Sequence, residues 1–192
     1  FMAILMTDGT VRVCGVNNNA QLGQNDLVTR STLVSVLGIC SQAVSLGPMT
    51  ASMAVIMSDG RVMVCGNNSG GQLGQNDLAD RSTVVPVLGI CSQAVSVAGG
   101  QGSIAVVLND GTVRVSGTNT NGPLGQNDTT NRSTVVPVLG ICSQAVSVAF
   151  KSLTVAILLN DGTVRICGQN NNGQLGQNDT AARSTVVPVL QI

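Results

Sequence analysis

An all-β chain of propeller type is what this sequence predicts, and three observations carry that prediction. The block Leu22-Gly23-Gln24-Asn25-Asp26 returns at Leu73-Gly74-Gln75-Asn76-Asp77, Leu124-Gly125-Gln126-Asn127-Asp128 and Leu175-Gly176-Gln177-Asn178-Asp179, always 51 residues on. No long helical pattern interrupts a period, and repeats of this length without helices signal propellers or β arrays. Each period also holds several short apolar runs separated by Gly, Asn and Asp, which is the content of a four-stranded propeller blade. About four such blades of ~51 residues are expected, in one array rather than in separately folding domains.

The first two strands of a unit are read from Ser52-Met53-Ala54-Val55-Ile56-Met57, then Asp59-Gly60, then Val62-Met63-Val64-Cys65-Gly66. Two apolar runs joined by Asp-Gly form a strong hairpin signal, because Gly supplies the positive φ of a tight turn and Asp tolerates it. The pair recurs as Asp8-Gly9, Asp110-Gly111 and Asp161-Gly162. An Asn/Gly-rich loop, 67–77, leads to a third run, Thr83-Val84-Val85-Pro86-Val87-Leu88. Pro86, Pro137 and Pro188 cannot donate to a ladder, so this run is placed at a sheet edge. A fourth run, Ala94-Val95-Ser96-Val97-Ala98, leads into the next hairpin. The units are drawn at 1–51, 52–102, 103–153 and 154–192, with fifteen strands in all and the last unit lacking its fourth. Further blades from the same or a neighbouring chain are expected to complete the ring. Val113 and Val164, in the second strand of their units, are expected to be core positions.

Composition excludes several classes of function. Charged residues make up 9% of the chain at net charge zero, and apolar residues 43%, which argues against disorder. A neutral surface offers no long-range attraction for phosphate backbones, and two Phe provide no stacking platform, so nucleic acid is not an expected partner. No apolar run reaches the ~20 residues of a membrane span. Without His, a Ser-His-Asp or Cys-His arrangement cannot be built from these residues. No Cys-x-x-Cys spacing suggests zinc, no ladder of carboxylates suggests calcium, and no Gly-Lys-Ser/Thr loop suggests phosphate binding. No catalytic residue, metal site or cofactor is expected, and the chain is read as a non-enzyme.

The charges themselves repeat. Asp26/Arg30, Asp77/Arg81, Asp128/Arg132 and Asp179/Arg183 keep one separation, and Arg12, Arg114 and Arg165 repeat on the second strand, replaced in the second unit by Arg61 two residues earlier on the same face. Only Asp80 and Lys151 lie off the repeat. Copied charges point to turn bracing and ion pairs, because an active site needs groups whose environments differ. The cysteines form two series, Cys14, Cys65, Cys167 and Cys40, Cys91, Cys142. Cys14–Cys40 with Cys65–Cys91 is one pairing scheme, and Cys40–Cys65 with Cys142–Cys167 is another. Free buried thiols are the favoured reading, since Ser116 replaces Cys in one copy and Cys packs as a small apolar residue.

Asn67, Asn127, Asn131 and Asn178 head glycosylation sequons in expected loops. Those sequons, with the scarcity of Lys and the lack of Glu, are compatible with an extracellular protein. The copies differ most at 47–51, 98–102 and 149–153, while 88–98 is repeated unchanged at 139–149. Loops carry recognition, so Pro48, Met49, Gln101, Phe150 and Lys151 are the candidate partner contacts.

Val64-Cys65-Gly66-Asn67-Asn68-Ser69-Gly70-Gly71-Gln72-Leu73-Gly74, with Asp59-Gly60 before it and Val85-Pro86-Val87 after it, resembles the regulator of chromosome condensation repeat. The resemblance covers the whole chain and implies a β-propeller, usually of seven blades. Cys14, Cys65, Ser116 and Cys167 stand where that family has Trp, and Ala51, Gly102 and Leu153 where it often has His. Its members include a nucleotide exchange factor for a small GTPase, ubiquitin-ligase and ciliary scaffolds, and a secreted inhibitor of β-lactamase. The resemblance therefore implies three functions: a structural or protein-binding scaffold, which the near-identical copies and low charge favour, an exchange factor, or a secreted enzyme inhibitor.

Overall fold

Within each repeat the Asp-Gly pair folds as expected, and its geometry explains the whole turn. In the computed structural model, which describes residues 1–190, Gly60 has φ +79° and its N–H donates to the Met57 carbonyl, while Met57 N–H donates to the Arg61 carbonyl. These bonds define a three-residue hairpin loop closed by a left-handed Gly. Asp59 Oδ1 accepts the Arg61 N–H at 3.0 Å, and Asp8, Asp110 and Asp161 do the same for Thr10, Thr112 and Thr163. A β-carbon on Gly60 would also lie 2.5 Å from the Ser92 carbonyl carbon, in the link to the next sheet. The glycine is thus required twice, by its turn and by its neighbour.

Fifteen strands are present among the described residues: β1 (Met2–Leu5), β2 (Val11–Gly15), β3 (Arg30–Ser35), β4 (Ala43–Pro48), β5 (Ser52–Met57), β6 (Val62–Gly66), β7 (Arg81–Pro86), β8 (Ala94–Gly99), β9 (Ser103–Leu108), β10 (Val113–Gly117), β11 (Arg132–Pro137), β12 (Ala145–Lys151), β13 (Thr154–Leu159), β14 (Val164–Gly168) and β15 (Arg183–Pro188). They form four antiparallel sheets in the orders β1-β2-β3, β4-β5-β6-β7, β8-β9-β10-β11 and β12-β13-β14-β15. The first strands of successive sheets touch, β4 with β8 and β8 with β12, as strands nearest a propeller axis do. The third runs end their sheets at Pro86, Pro137 and Pro188, so the edge placement argued from proline holds.

Two details differ from the sequence reading. The fourth run of each period pairs with the hairpin that follows it, for example Val97 opposite Val106. The sheets are therefore phased at Ala43–Pro86, Ala94–Pro137 and Ala145–Pro188. It is the first sheet, not the last, that has three strands, and the last two residues of the expected unit 154–192 lie outside the described residues. The third strand also starts at Arg81 rather than Thr83. Arg81 is held opposite Gly66, with a shift of register between Val64 and Gly66.

The repeated pentapeptide joins one sheet to the next, and each of its residues has a task. Leu22, Leu73, Leu124 and Leu175 are fully buried. Gly74 has φ +64° and lies so near Val87 and Val135 that a β-carbon would sit 3.1 Å from each. Gln75 Nε2 donates to the Pro86 carbonyl at 2.8 Å, tying the loop to the outer strand. Asn25, Asn76 and Asn127 adopt φ of 59–60°. That turns their N–H toward the Ser82, Ser133 and Ser184 carbonyls of the following sheet. Asp77 accepts from Arg81 at 2.6 Å and from the buried Asn68 at 3.1 Å. Asn68 Oδ1 in turn accepts the Leu73 N–H at 2.9 Å, and Asn17, Asn119 and Asn170 repeat the arrangement.

Apolar side chains fill the spaces between sheets. Ala54, Ile56, Val62 and Val64 meet Ile104, Val106 and Leu108 between the second and third sheets. Ala105, Val107, Val113 and Val115 meet Val155, Ile157 and Leu159 between the third and fourth. Burial on both faces of the second and third sheets accounts for their inner strands having little polar alternation.

Candidate functional site

The connections β4–β5, β8–β9 and β12–β13 emerge at one end of the sheets, together with the Asn/Gly-rich loops that follow β6, β10 and β14. The Asp-Gly hairpins and the unchanging 88–93 and 139–144 links lie at the opposite end. The segments where the copies diverge are therefore gathered on one face. There, between the second and third sheets, lies a cavity of about 390 Å³. That is the lower part of the size range of small-ligand pockets.

Met49, Thr50, Ala51 and Ser52 line it from the second sheet, Gln101 and Gly102 from the third, and Leu153 from the fourth. Asn67, Ser69, Gln72, Thr118 and Thr120 complete the wall. None of these side chains is charged. Several are held in place by one another: Asn67 Oδ1 accepts from Ser69 Oγ and Gln72 Nε2, both at 2.8 Å, and Ser52 Oγ donates to the Asn67 carbonyl at 2.7 Å. Asp80, the acidic residue off the repeat, accepts the Asn68 N–H at 2.7 Å and so braces this wall from behind. The arrangement offers hydroxyl and carboxamide groups beside an apolar floor, and no group in it is shown to be poised as acid, base or nucleophile.

The five candidate contacts do not all meet there. Gln101 is exposed at the rim, and Met49 lines the cavity but is only 6% exposed. Pro48 is exposed beside it and does not line it. Phe150 is half-buried and packs against the core between the third and fourth sheets. Lys151 is exposed in a separate hollow of about 400 Å³ with Ala149, Ala156 and Gln174. The divergent links thus share one face, but two of the five side chains, Met49 and Phe150, are occupied with packing. Thr50, Thr118 and Thr120 line the cavity too and are not among the five. Comparing the copies beyond the link segments would have found the last two, since Thr118 and Thr120 stand where the second copy has Asn67 and Ser69.

Of the sequon asparagines, Asn127, Asn131 and Asn178 are exposed, whereas Asn67 is half-buried with its carboxamide engaged. All six cysteines are free thiols. Cys65 and Cys167 are buried, and burial pushes their thiols up to about 12. Cys40, Cys91 and Cys142 are exposed and Cys14 is half-buried, so burial covers only part of the set.

Sheets that radiate from adjacent inner strands, with cores between successive sheets and no helix among the described residues, define a β-propeller repeat protein. Comparison with known proteins shows what the chain is similar to. Residues 145–174 match the regulator of chromosome condensation (RCC1) repeat. The chain is 29% identical over 136 residues to the Drosophila melanogaster regulator of chromosome condensation, covering 69% of this chain and 25% of that protein. It is 29% identical over 187 residues to a Bos taurus secretion-regulating guanine nucleotide exchange factor, covering 90% and 39%. Among solved structures, human WBSCR16 superposes with a TM-score of 0.87 at 19% identity, over 97% of this chain and 50% of that one. Prp20p from Saccharomyces cerevisiae, described with its binding to Gsp1p and histones, superposes at 0.80 with 19% identity, over 99% and 49%. The chain is an RCC1-like β-propeller. It spans 25% and 39% of the two relatives named and about half of these two structures.

Proposed function

We propose that the chain is a non-enzymatic protein-binding scaffold whose contact face is the one carrying the cavity. A single observation carries this reading: the segments in which near-identical copies differ converge on one end of the sheets, around a cavity lined by uncharged hydrogen-bonding groups. Function resides in such sites rather than in the fold that holds them. The names of relatives support protein contact, since Prp20p is described as binding Gsp1p and histones. Partner segments suited to this wall are uncharged, so binding at the cavity is expected to change little between low and high salt.

The test places a photo-crosslinking amino acid at Gln101 or Thr120, and as a control at Asn109 on the opposite face, in the producing organism. A discrete protein adduct from the first two positions and none from the third supports the scaffold. Equal labelling from both faces, or none from either, overturns it. The alternative of an exchange factor rests on the relative bearing that name. It is separated by following release of a fluorescent guanine nucleotide from Gsp1p with the chain in excess. The scaffold reading expects the spontaneous rate, and acceleration would select the exchange factor.

A further inference from the structure

The four copies share their strands and loops so closely that their interfaces are almost interchangeable, and apart from the seven-residue links that join the sheets, nothing in the common residues states which sheet stands beside which. The divergent links do. We infer that Gly99 and Gly100 form a two-sided socket in the third sheet that receives Met49 from the second and Phe150 from the fourth, and so fixes the order of the sheets.

In the aligned links Gly99 corresponds to Pro48 and Phe150, and Gly100 to Met49 and Lys151. Neither glycine has the left-handed φ that favours glycine, so what forbids a side chain there is the neighbouring sheet. A β-carbon on Gly99 would fall inside the envelope of Met49 Cγ and lie 3.1 Å from the Pro48 carbonyl oxygen. One on Gly100 would overlap the Phe150 ring and lie 2.6 Å from the Ser152 carbonyl oxygen. Met49 is 6% exposed and joins the core between the second and third sheets, and Phe150 packs on the core between the third and fourth. The second contact is locked by a hydrogen bond from the Gln101 N–H to the Ser152 carbonyl at 2.9 Å.

The alternation bulky, glycine, bulky discriminates between partners. Setting the fourth sheet against the second would bring Phe150 to the place of Gly99, where Met49 already leaves no room for a single carbon. The native order fits and that exchange collides, which is specificity by exclusion as well as by fit. Identical repeats are prone to mispair within a chain and to swap between chains, so this is where such a device acts.

The experiment compares the wild-type chain with Gly99→Met, Met49→Gly and the double variant M49G/G99M, which moves the bulky side chain across the interface. Overpacking of this kind is expected to lower the melting temperature of Gly99→Met by roughly 3–10 °C. It is also expected to populate dimers by light scattering. The double variant should recover at least half of that loss and return to monomer. A Gly99→Met chain that melts with the wild type as a monomer overturns the inference. So does a double variant no better than the sum of its singles, because additivity means that the two positions do not share one space.

Discussion

At position 116 the chain has Ser where two other copies have a buried Cys, and the reason is a shared acceptor. Cys65 Sγ donates to the Gln21 carbonyl at 3.7 Å, Ser116 Oγ to the Gln72 carbonyl at 3.2 Å, and Cys167 Sγ to the Pro123 carbonyl at 3.6 Å. Each is fully buried and each reaches the preceding sheet. Ser116→Cys is therefore expected to keep most of the chain's stability. Ser116→Ala, which leaves a buried carbonyl without its donor, should cost about 1 kcal/mol in urea unfolding. A Cys variant that loses as much as the Ala variant would remove the shared-acceptor explanation. The thiols themselves give a second readout. Cys40, Cys91 and Cys142 are expected to react with a maleimide in the folded protein, and Cys65 and Cys167 only on unfolding, because access and a thiol raised to about 12 both protect them. Rapid labelling of Cys65 in the native state would contradict the packing between the first and second sheets.

The element that repeats most strictly is the loop closed by Asp and Arg. Asp26, Asp77, Asp128 and Asp179 are held below the ordinary carboxylate value of 3.8, chiefly by hydrogen bonds from Arg30, Arg81, Arg132 and Arg183. Backbone N–H donors two residues on, from Val28, Ala79, Thr130 and Ala181, add to the effect. A carboxylate depressed in the folded state stabilises above its unfolded value and loses that contribution as pH falls through the folded one. The urea midpoint is thus expected to stay level from pH 7 to about 5 and to fall below about pH 4. In a chain with Asp77 and Asp128 both changed to Asn the fall should be shallower, and an unchanged slope would assign the acid sensitivity elsewhere. Hairpins, proline edges and this loop were legible in the sequence because each rests on neighbours a few residues apart. The phasing of Ala94–Gly99 was not, since the seven-residue link before it permits pairing with either sheet. Only the β8–β9 ladder decides between them. The cavity was half legible for the same reason: repetition exposes which residues differ, while burial decides that Met49 and Phe150 are packing and Gln101 is surface.

Across the whole molecule, stability is a sum of blades and of the interfaces between them, so damage at an interface should propagate. Val113 and Val164 occupy equivalent places in β10 and β14 and looked interchangeable in the sequence, yet their surroundings differ. Val113 is 1% exposed and belongs to the core between the third and fourth sheets, with Val115, Leu124 and Ile157. Val164 is half-buried on the last described sheet. An aspartate at 113 would place a carboxylate at a position only 1% exposed, among apolar side chains. The penalty for a buried unpaired charge is several kcal/mol, against a total stability on the order of 5–15 kcal/mol for a domain. Val113→Asp is accordingly expected to abolish the cooperative melt followed by circular dichroism. Val164→Asp should lower the melting temperature while leaving a single transition, because its carboxylate can turn toward solvent. A soluble Val113→Asp chain melting cooperatively within a few degrees of the wild type would contradict the burial of β10. Equal collapse of both variants would instead mean that the outer face of the fourth sheet is covered in solution as completely as the inner ones.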